Sequence, residues 1–234
     1  MTNDKQFLAC HTTPRLNALL NLLDSPVCVA DIGCDHAYLP ILLARKDISK
    51  KIIACDISEG PLERARRNVE RFGMCKRIDL RLGAGLLPLK EGEADAIVIA
   101  GMGANVICEI LSQGYAIAKK ADFLLLQPMS SADEVRKYLY ENDFIIEKEV
   151  LVREDRRIYT IICAKSGKTQ GYCDADCYIS PALRHDKGEL YIPYLKKQKQ
   201  LISSALDGMK KAKTRLCNTD YYEKLLLELD KFDE

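Results

Sequence analysis

Val27-Cys28-Val29-Ala30-Asp31-Ile32-Gly33-Cys34-Asp35-His36 is the stretch on which the fold reading turns. A short apolar run reaches an acid, and one glycine then separates that acid from a second. The run is short for a helix and fits a buried strand, Val27 to Ile32. Gly33 permits the tight turn that follows. A helix from Ala37 to Arg45 comes next.

The alternation continues outward. Lys51 to Asp56 reads as a second strand, with Ile52, Ile53, Ala54 and Cys55 apolar. Ser58 can cap a helix that Pro61 helps to start and that ends near Phe72 and Gly73. Ile78, Leu80 and Leu82 alternate into a third strand. Ala94 to Ala100 forms a fourth, followed by a helix from Ala104 to Gln113. Ala121 to Gln127 forms a fifth, which Pro128 stops, and Asp133 to Asn142 is helical. Phe144 to Val152 and Ile158 to Ala164 then meet through a polar turn, Arg153 to Arg157. Strands separated by helices pair in parallel; strands joined directly pair antiparallel. The expected fold over residues 1–165 is therefore α/β and doubly wound, a mostly parallel sheet with a terminal antiparallel hairpin.

Beyond Lys165 the texture changes. Ser166 to Asp176 is polar and reads as a linker, so residues 166–234 form a linker and a C-terminal helical hairpin. Leu195, Ile202, Met209 and Leu216 recur every seven residues, with Ala205 and Ala212 three further on. That is a coiled-coil-like seam. Pro193 sets its start. Asn218 and Thr219 mark a stop and a new N-cap, and Leu225, Leu229 and Phe232 continue a second helix. Packing within the chain accounts for so few heptads, so a monomer or weak dimer is expected.

Hydrophobic residues make up 47% and charged residues 29% of the chain. No apolar run reaches the roughly 18 residues of a membrane span. Met1 to Cys10 carries Asp4, Lys5 and Gln6 and does not read as a secretory signal. A soluble cytoplasmic protein with no membrane partner is expected. Ten cysteines do not make a disulfide framework. Cys28, Cys55, Cys108 and Cys163 sit in apolar segments as small hydrophobes, and Cys173 and Cys177 lack a second ligand pair, so no metal site is expected. Net charge is +1, but Arg184 to Leu216 holds nine basic residues against three acidic. A second basic cluster includes Arg64, Arg66, Arg67, Arg71, Lys76 and Arg77. Both patches fit a polyanion, and both also fit solvated helix faces.

A parallel sheet binds ligands just beyond the carboxyl ends of its strands. There the first strand offers Asp31, Gly33, Asp35 and His36. One glycine is no Gly-x-Gly-x-x-Gly, so a pyrophosphate is poorly served. An adenosyl group with an amino-acid tail stays open. The second strand ends in Asp56, followed by Ile57; Asp56 can accept from ribose hydroxyls or cap the next helix. The third runs into Ala84 and Gly85. The fourth runs into Gly101, Met102 and Gly103, small enough to admit a flat base. The fifth ends in Gln127 and Pro128, where an amide could meet a base edge.

Asp31 to Pro40 (Asp-Ile-Gly-Cys-Asp-His-Ala-Tyr-Leu-Pro), Ile99 to Gly103 (Ile-Ala-Gly-Met-Gly) and Leu126 to Pro128 (Leu-Gln-Pro) together resemble the bacterial tRNA adenine-22 N1-methyltransferase family. The resemblance runs from about Arg15 to the end. It implies a Rossmann-like class I methyltransferase domain, S-adenosylmethionine as donor, tRNA rather than DNA as partner, and a helical tail that helps to hold the RNA. One departure stands out: the family commonly has Gly-Asp-Gly-Leu after the third strand, and here Ala84 replaces the acid.

On that reading Asp31, Gly33, His36, Asp56, Ile57, Ala84, Gly85 and Gly101 contact the cofactor. Met102, Gly103, Gln127, Pro128, Lys196, Lys197 and Lys199 contact the RNA. Asp35 is the catalytic carboxylate, or else a cap for the helix at Ala37. Two other functions stay open. One is a methyltransferase with a different acceptor. The other is a non-catalytic RNA-binding protein, which Ala84 favours and the intact Asp31, Gly33, Asp35 and Asp56 oppose.

Overall fold

The computed structural model describes residues 12–169, 171–211 and 219–233. The sheet strands are β1 (Cys28–Ile32), β2 (Lys51–Asp56), β3 (Ile78–Leu82), β4 (Ala96–Met102), β5 (Phe123–Pro128), β6 (Phe144–Glu154) and β7 (Arg157–Ser166). They form one seven-stranded sheet in the order β3-β2-β1-β4-β5-β7-β6. β1 to β5 pair in parallel, and β7 runs antiparallel to both β5 and β6. The chain order reverses between β1 and β4, which places a crevice beyond their carboxyl ends.

Helices cover the sheet: α1 (Pro14–Leu22), α2 (Tyr38–Arg45), α3 (Glu59–Arg71), α4 (Ala104–Gln113), α5 (Tyr115–Lys120) and α6 (Ala132–Glu141). Buried strands alternate their side chains between two cores. Val29, Ile52, Val98 and Leu125 face one core with Ile41 and Leu43. Ala30, Ile53, Ile97, Ile99 and Leu124 face the other with Ile107 and Leu111. α1 was not anticipated. Thr13 caps it by accepting from the Leu16 N–H at 3.2 Å, with Pro14 in the first turn.

Several strand limits move. β5 starts at Phe123 rather than Ala121, β6 extends to Glu154 and β7 runs from Arg157 to Ser166, which narrows the expected turn Arg153 to Arg157 to Asp155 and Arg156. β1 starts at Cys28, not Val27, and Val27 is exposed. β4 starts at Ala96 and continues past Ala100 through a bulge at Gly101. β5 includes Pro128, which as a last residue need not donate to the ladder.

The tail comprises α7 (Asp174–Tyr178), α8 (Pro181–Asp186), α9 (Tyr191–Lys211), α10 (Thr219–Asp230) and a 3-10 turn, Lys231–Asp233. The expected linker is shorter than Ser166 to Asp176. Gly167 N–H donates to the Asp143 carbonyl, Thr169 hydroxyl to the Phe144 carbonyl, and α7 has begun by Asp174. α9 begins two residues before Pro193. Contacts of Tyr191 with Phe232, Lys199 with Asp230 and Asp233, and Lys210 with Glu223 make α9 and α10 antiparallel. The seam is Leu195 and Ile202 against Leu225 and Leu229; Ala205 is exposed, whereas its neighbour Leu206 is buried. Ala212, Leu216 and Asn218 lie outside the described residues. The tail core also takes in Leu151 and Ile158 of the hairpin, so it packs on the sheet edge.

Candidate active site

The loop after β1 is folded over the end of β2. The N–H groups of Gly33 and Cys34 both donate to the Cys55 carbonyl, at 2.8 and 3.0 Å. Gly33 has φ +76°, and a Cβ there would lie 2.1 Å from the terminal methyl of Met102. Asp35 and Ala37 also have positive φ, which costs non-glycine residues energy. Two contacts hold them there. Asp35 N–H donates to Asp56 at 3.2 Å, and the Asn68 amide donates to the His36 carbonyl at 3.0 Å.

Three acids, Asp31, Asp35 and Asp56, and apolar residues define the crevice. Asp31 is buried, and burial followed by repulsion from Asp56 pushes its pKa up to about 7. No hydrogen bond from the described residues offsets that cost. Asp56 accepts one backbone N–H on each oxygen, from Asp35 and Ser58. Each oxygen keeps acceptor capacity for a ribose hydroxyl. Beside them Ile57 (70% exposed) and Leu82 (51% exposed) stand at the ends of neighbouring strands, open apolar walls for a flat ring. Ala84 and Gly85 follow Leu82, and a Cβ at Gly85 would press on Ile110.

Asp35 does not cap a helix: α2 has Ala37 at its N-cap with no side-chain bond. Its carboxylate is half exposed and pairs with Arg64 of α3, at 2.7 Å from Nη2 and 3.2 Å from Nε. His36 is not buried. It stacks on Tyr38 and lies 3.5 Å from Asp35.

Two expected RNA contacts are corrected by their partners. Gln127 is buried and its amide is consumed within the protein. Its oxygen accepts from Gly101 N–H at 3.0 Å and from Arg15 at 3.2 Å, and its nitrogen donates to the Pro128 carbonyl at 2.9 Å. It shapes the bulge at Gly101 rather than reading a base edge. Lys199 pairs with Asp230 and Asp233, so its ammonium closes the helical hairpin. Lys196 is exposed, and Lys197 lines a cleft beside Pro128 and Met129. Met102 and Gly103 sit at the end of β4, where the Met102 carbonyl accepts from Met129 N–H.

Arg15 was missed. It donates to Glu154 at 2.7 Å, reaches Gln127, and lies over the Tyr159 ring at 4.4 Å. Its bonds hold the Glu154 carboxyl below the usual carboxylate range. The signal was Thr13-Pro14, a cap and first-turn proline just before it. Among the described residues no acidic, histidine or cysteine cluster could hold a metal ion. The eight described cysteines are free thiols.

A switch-point crevice with a glycine turn and two buried acids at successive strand ends is the arrangement of a Rossmann-like methyltransferase. The methyltransferase domain family matches residues 12–162. The Bacillus subtilis tRNA (adenine(22)-N(1))-methyltransferase is 34% identical over 76% of this chain and 77% of its own. The crystal structure of the B. subtilis m1A22 tRNA methyltransferase TrmK superposes with TM-score 0.79 at 31% identity, covering 94% of this chain and 95% of that one. TrmK of M. capricolum, in complex with the cofactor product S-adenosyl-homocysteine, does so at 0.74 and 28%, covering 94% and 95%. This chain belongs to the tRNA (adenine(22)-N(1))-methyltransferase family.

Proposed function

We propose that this chain transfers a methyl group from S-adenosylmethionine to N1 of adenine 22 in tRNA. The observation that carries the reading is Asp31: a buried carboxylate, raised to about 7, with no cation beside it among the described residues. An amino-acid ammonium would supply that missing partner. The residues therefore fit the donor. Asp31 takes its amino group, Gly33 lets it approach the backbone, Asp56 takes the ribose hydroxyls, and Ile57 and Leu82 flank the base. His36, Gly85 and Gly101 border the same crevice, and Ala84 leaves the base amino group to backbone acceptors.

When bound, S-adenosylmethionine supplies an electrophilic methyl on a sulfonium. Adenine N1 already has a lone pair, so the chain needs no base to create the nucleophile. It needs alignment, and tolerance of the charge that forms. Paired adenine hides N1, so the base must leave the stack. Met102 and Gly103 wall the place it enters. Asp35 accepts from its amino group and stabilises the cation, and Arg64 sets where Asp35 points. Lys196 and Lys197 meet phosphates.

On this reading residues 1–165 carry the chemistry and residues 166–234 hold RNA. The protein works in the cytoplasm as a monomer or weak dimer. Among the described residues no helix is long and apolar enough to cross a membrane. The test is methylation of an unmodified tRNA transcript with labelled donor. The label should map to N1 of adenine 22 and vanish when that adenine is replaced by guanine. Label that persists in the replaced transcript defeats the assignment.

A further inference from the structure

A cleft of about 620 Å3 opens between the β6–β7 turn, the loop after β5 and the helical tail. That is the size of a small-ligand site. Its floor is built. Tyr194 and Thr160 are buried, and both are tied to one ion pair: Tyr194 hydroxyl accepts from Arg136 at 3.0 Å, and Thr160 hydroxyl donates to Glu149. Its rim carries Tyr178 of α7 and Tyr222 of α10, both partly exposed. Arg156, Arg157 and Lys197 also line it, and among the described residues none of the three forms an ion pair. Asp133 is the acid in the lining.

The cleft meets the crevice through one backbone hydrogen bond. Pro128 and Met129 line the cleft, and Met129 N–H donates to the Met102 carbonyl at 2.8 Å. Met102 in turn lies over Gly33. An RNA strand that placed one base at Met102 would bring a neighbour to Met129. Once the reacting adenine leaves the stack, that neighbour loses a stacking face, which tyrosine can replace.

We propose that this cleft holds a second unpaired nucleotide of the RNA substrate, adjacent to the adenine that is methylated. Its base lies against Tyr178 and Tyr222, and its phosphates lie near Arg156, Arg157 and Lys197. The cleft thereby sets the register in which the adenine reaches the crevice. This inference rests on the reading of the chain as a tRNA methyltransferase.

The experiment uses an unmodified tRNA transcript with the full chain and with Tyr178→Ala, Tyr222→Ala and Arg157→Glu. S-adenosylhomocysteine affinity by calorimetry controls for folding. Each tyrosine variant should lose about tenfold in tRNA affinity, the scale of one base stacked on one aromatic ring, with unchanged S-adenosylhomocysteine affinity. A photoreactive phenylalanine at position 222 should crosslink to a nucleotide beside, and other than, adenine 22. Wild-type tRNA affinity in both tyrosine variants overturns the proposal. So does a crosslink to adenine 22 itself, or no RNA crosslink at all. If a tyrosine variant loses S-adenosylhomocysteine affinity, the crosslink decides. Should the unaltered chain neither bind nor methylate the transcript, the functional reading fails first and the cleft falls with it.

Discussion

Asp31, one residue before the end of β1, and Asp56, at the end of the neighbouring β2, have carboxylates close enough to repel, and the deeper one, Asp31, carries the cost. Its pKa in the folded chain, about 7, stands above the ordinary 3.8. Between those values the folded state holds a proton that the unfolded state has released. This group therefore favours folding at low pH, and that contribution is lost as pH rises through about 7. Asp31→Asn should remove the loss. Denaturant titrations of both proteins without cofactor should show the variant gaining stability relative to the parent as pH rises from about 5 to about 8, by a few kcal/mol. A difference independent of pH would contradict the placement of Asp31.

Asp35 and Arg64 form an exposed pair, and such pairs contribute about 1 kcal/mol at most to stability. Their weight should fall on the reaction. Asp35→Ala should cut kcat by about a hundredfold or more while leaving S-adenosylhomocysteine affinity intact. Arg64→Ala should lower kcat by about tenfold with little change in melting temperature, and Arg64→Lys should recover part. Full turnover in Asp35→Ala would remove that residue from the mechanism.

Ala84 lies two residues past Leu82, the end of β3, where the family resemblance leads one to expect an acid. Ala84→Asp should add an acceptor for the base amino group. S-adenosylhomocysteine should then bind at least about tenfold more tightly, the worth of one hydrogen bond to a charged group. Calorimetry at fixed pH checks it; weaker binding would show that the crevice has closed over this position.

Arg136 is buried and bonds to Glu149 at 2.6 Å, to the carbonyls of Cys177 and Tyr178, and to Tyr194. Ser180, which caps α8, also bonds to Glu149. This pair joins α6 and β6 to three tail helices. Arg136→Ala strands a buried carboxylate and should cost about 3–5 kcal/mol. Limited proteolysis should then cut first between residues 166 and 190. A variant as stable as the parent would show that the tail docks by its apolar core alone.

The sheet was legible because buried strands such as β1, β2 and β4 leave short apolar runs broken by acidic or glycine residues at or near their ends. That Asp31, Gly33 and Asp56 stand at strand ends followed from position alone. Arg136 was not legible: a lone charge in an amphipathic helix reads as solvent-facing until its partner is known. Gln127 and Lys199 failed for the same reason, since their partners come from Arg15 and Asp230, distant in sequence. The helix starts at Thr13-Pro14 and Ser180-Pro181 were legible and overlooked. That Ala205 is exposed and Leu206 buried follows from a helical period nearer 3.6 than 3.5.

The most direct test is calorimetric titration of S-adenosylhomocysteine at about pH 8 and about pH 6, in two buffers of different ionisation enthalpy. If the ammonium pairs with ionised Asp31, affinity should fall about tenfold at the lower pH. Binding there should release close to one proton, and Asp31→Asn should abolish both effects along with tight binding. Equal affinity at the two values, with no proton released and Asp31→Asn binding as the parent does, would contradict the crevice as described.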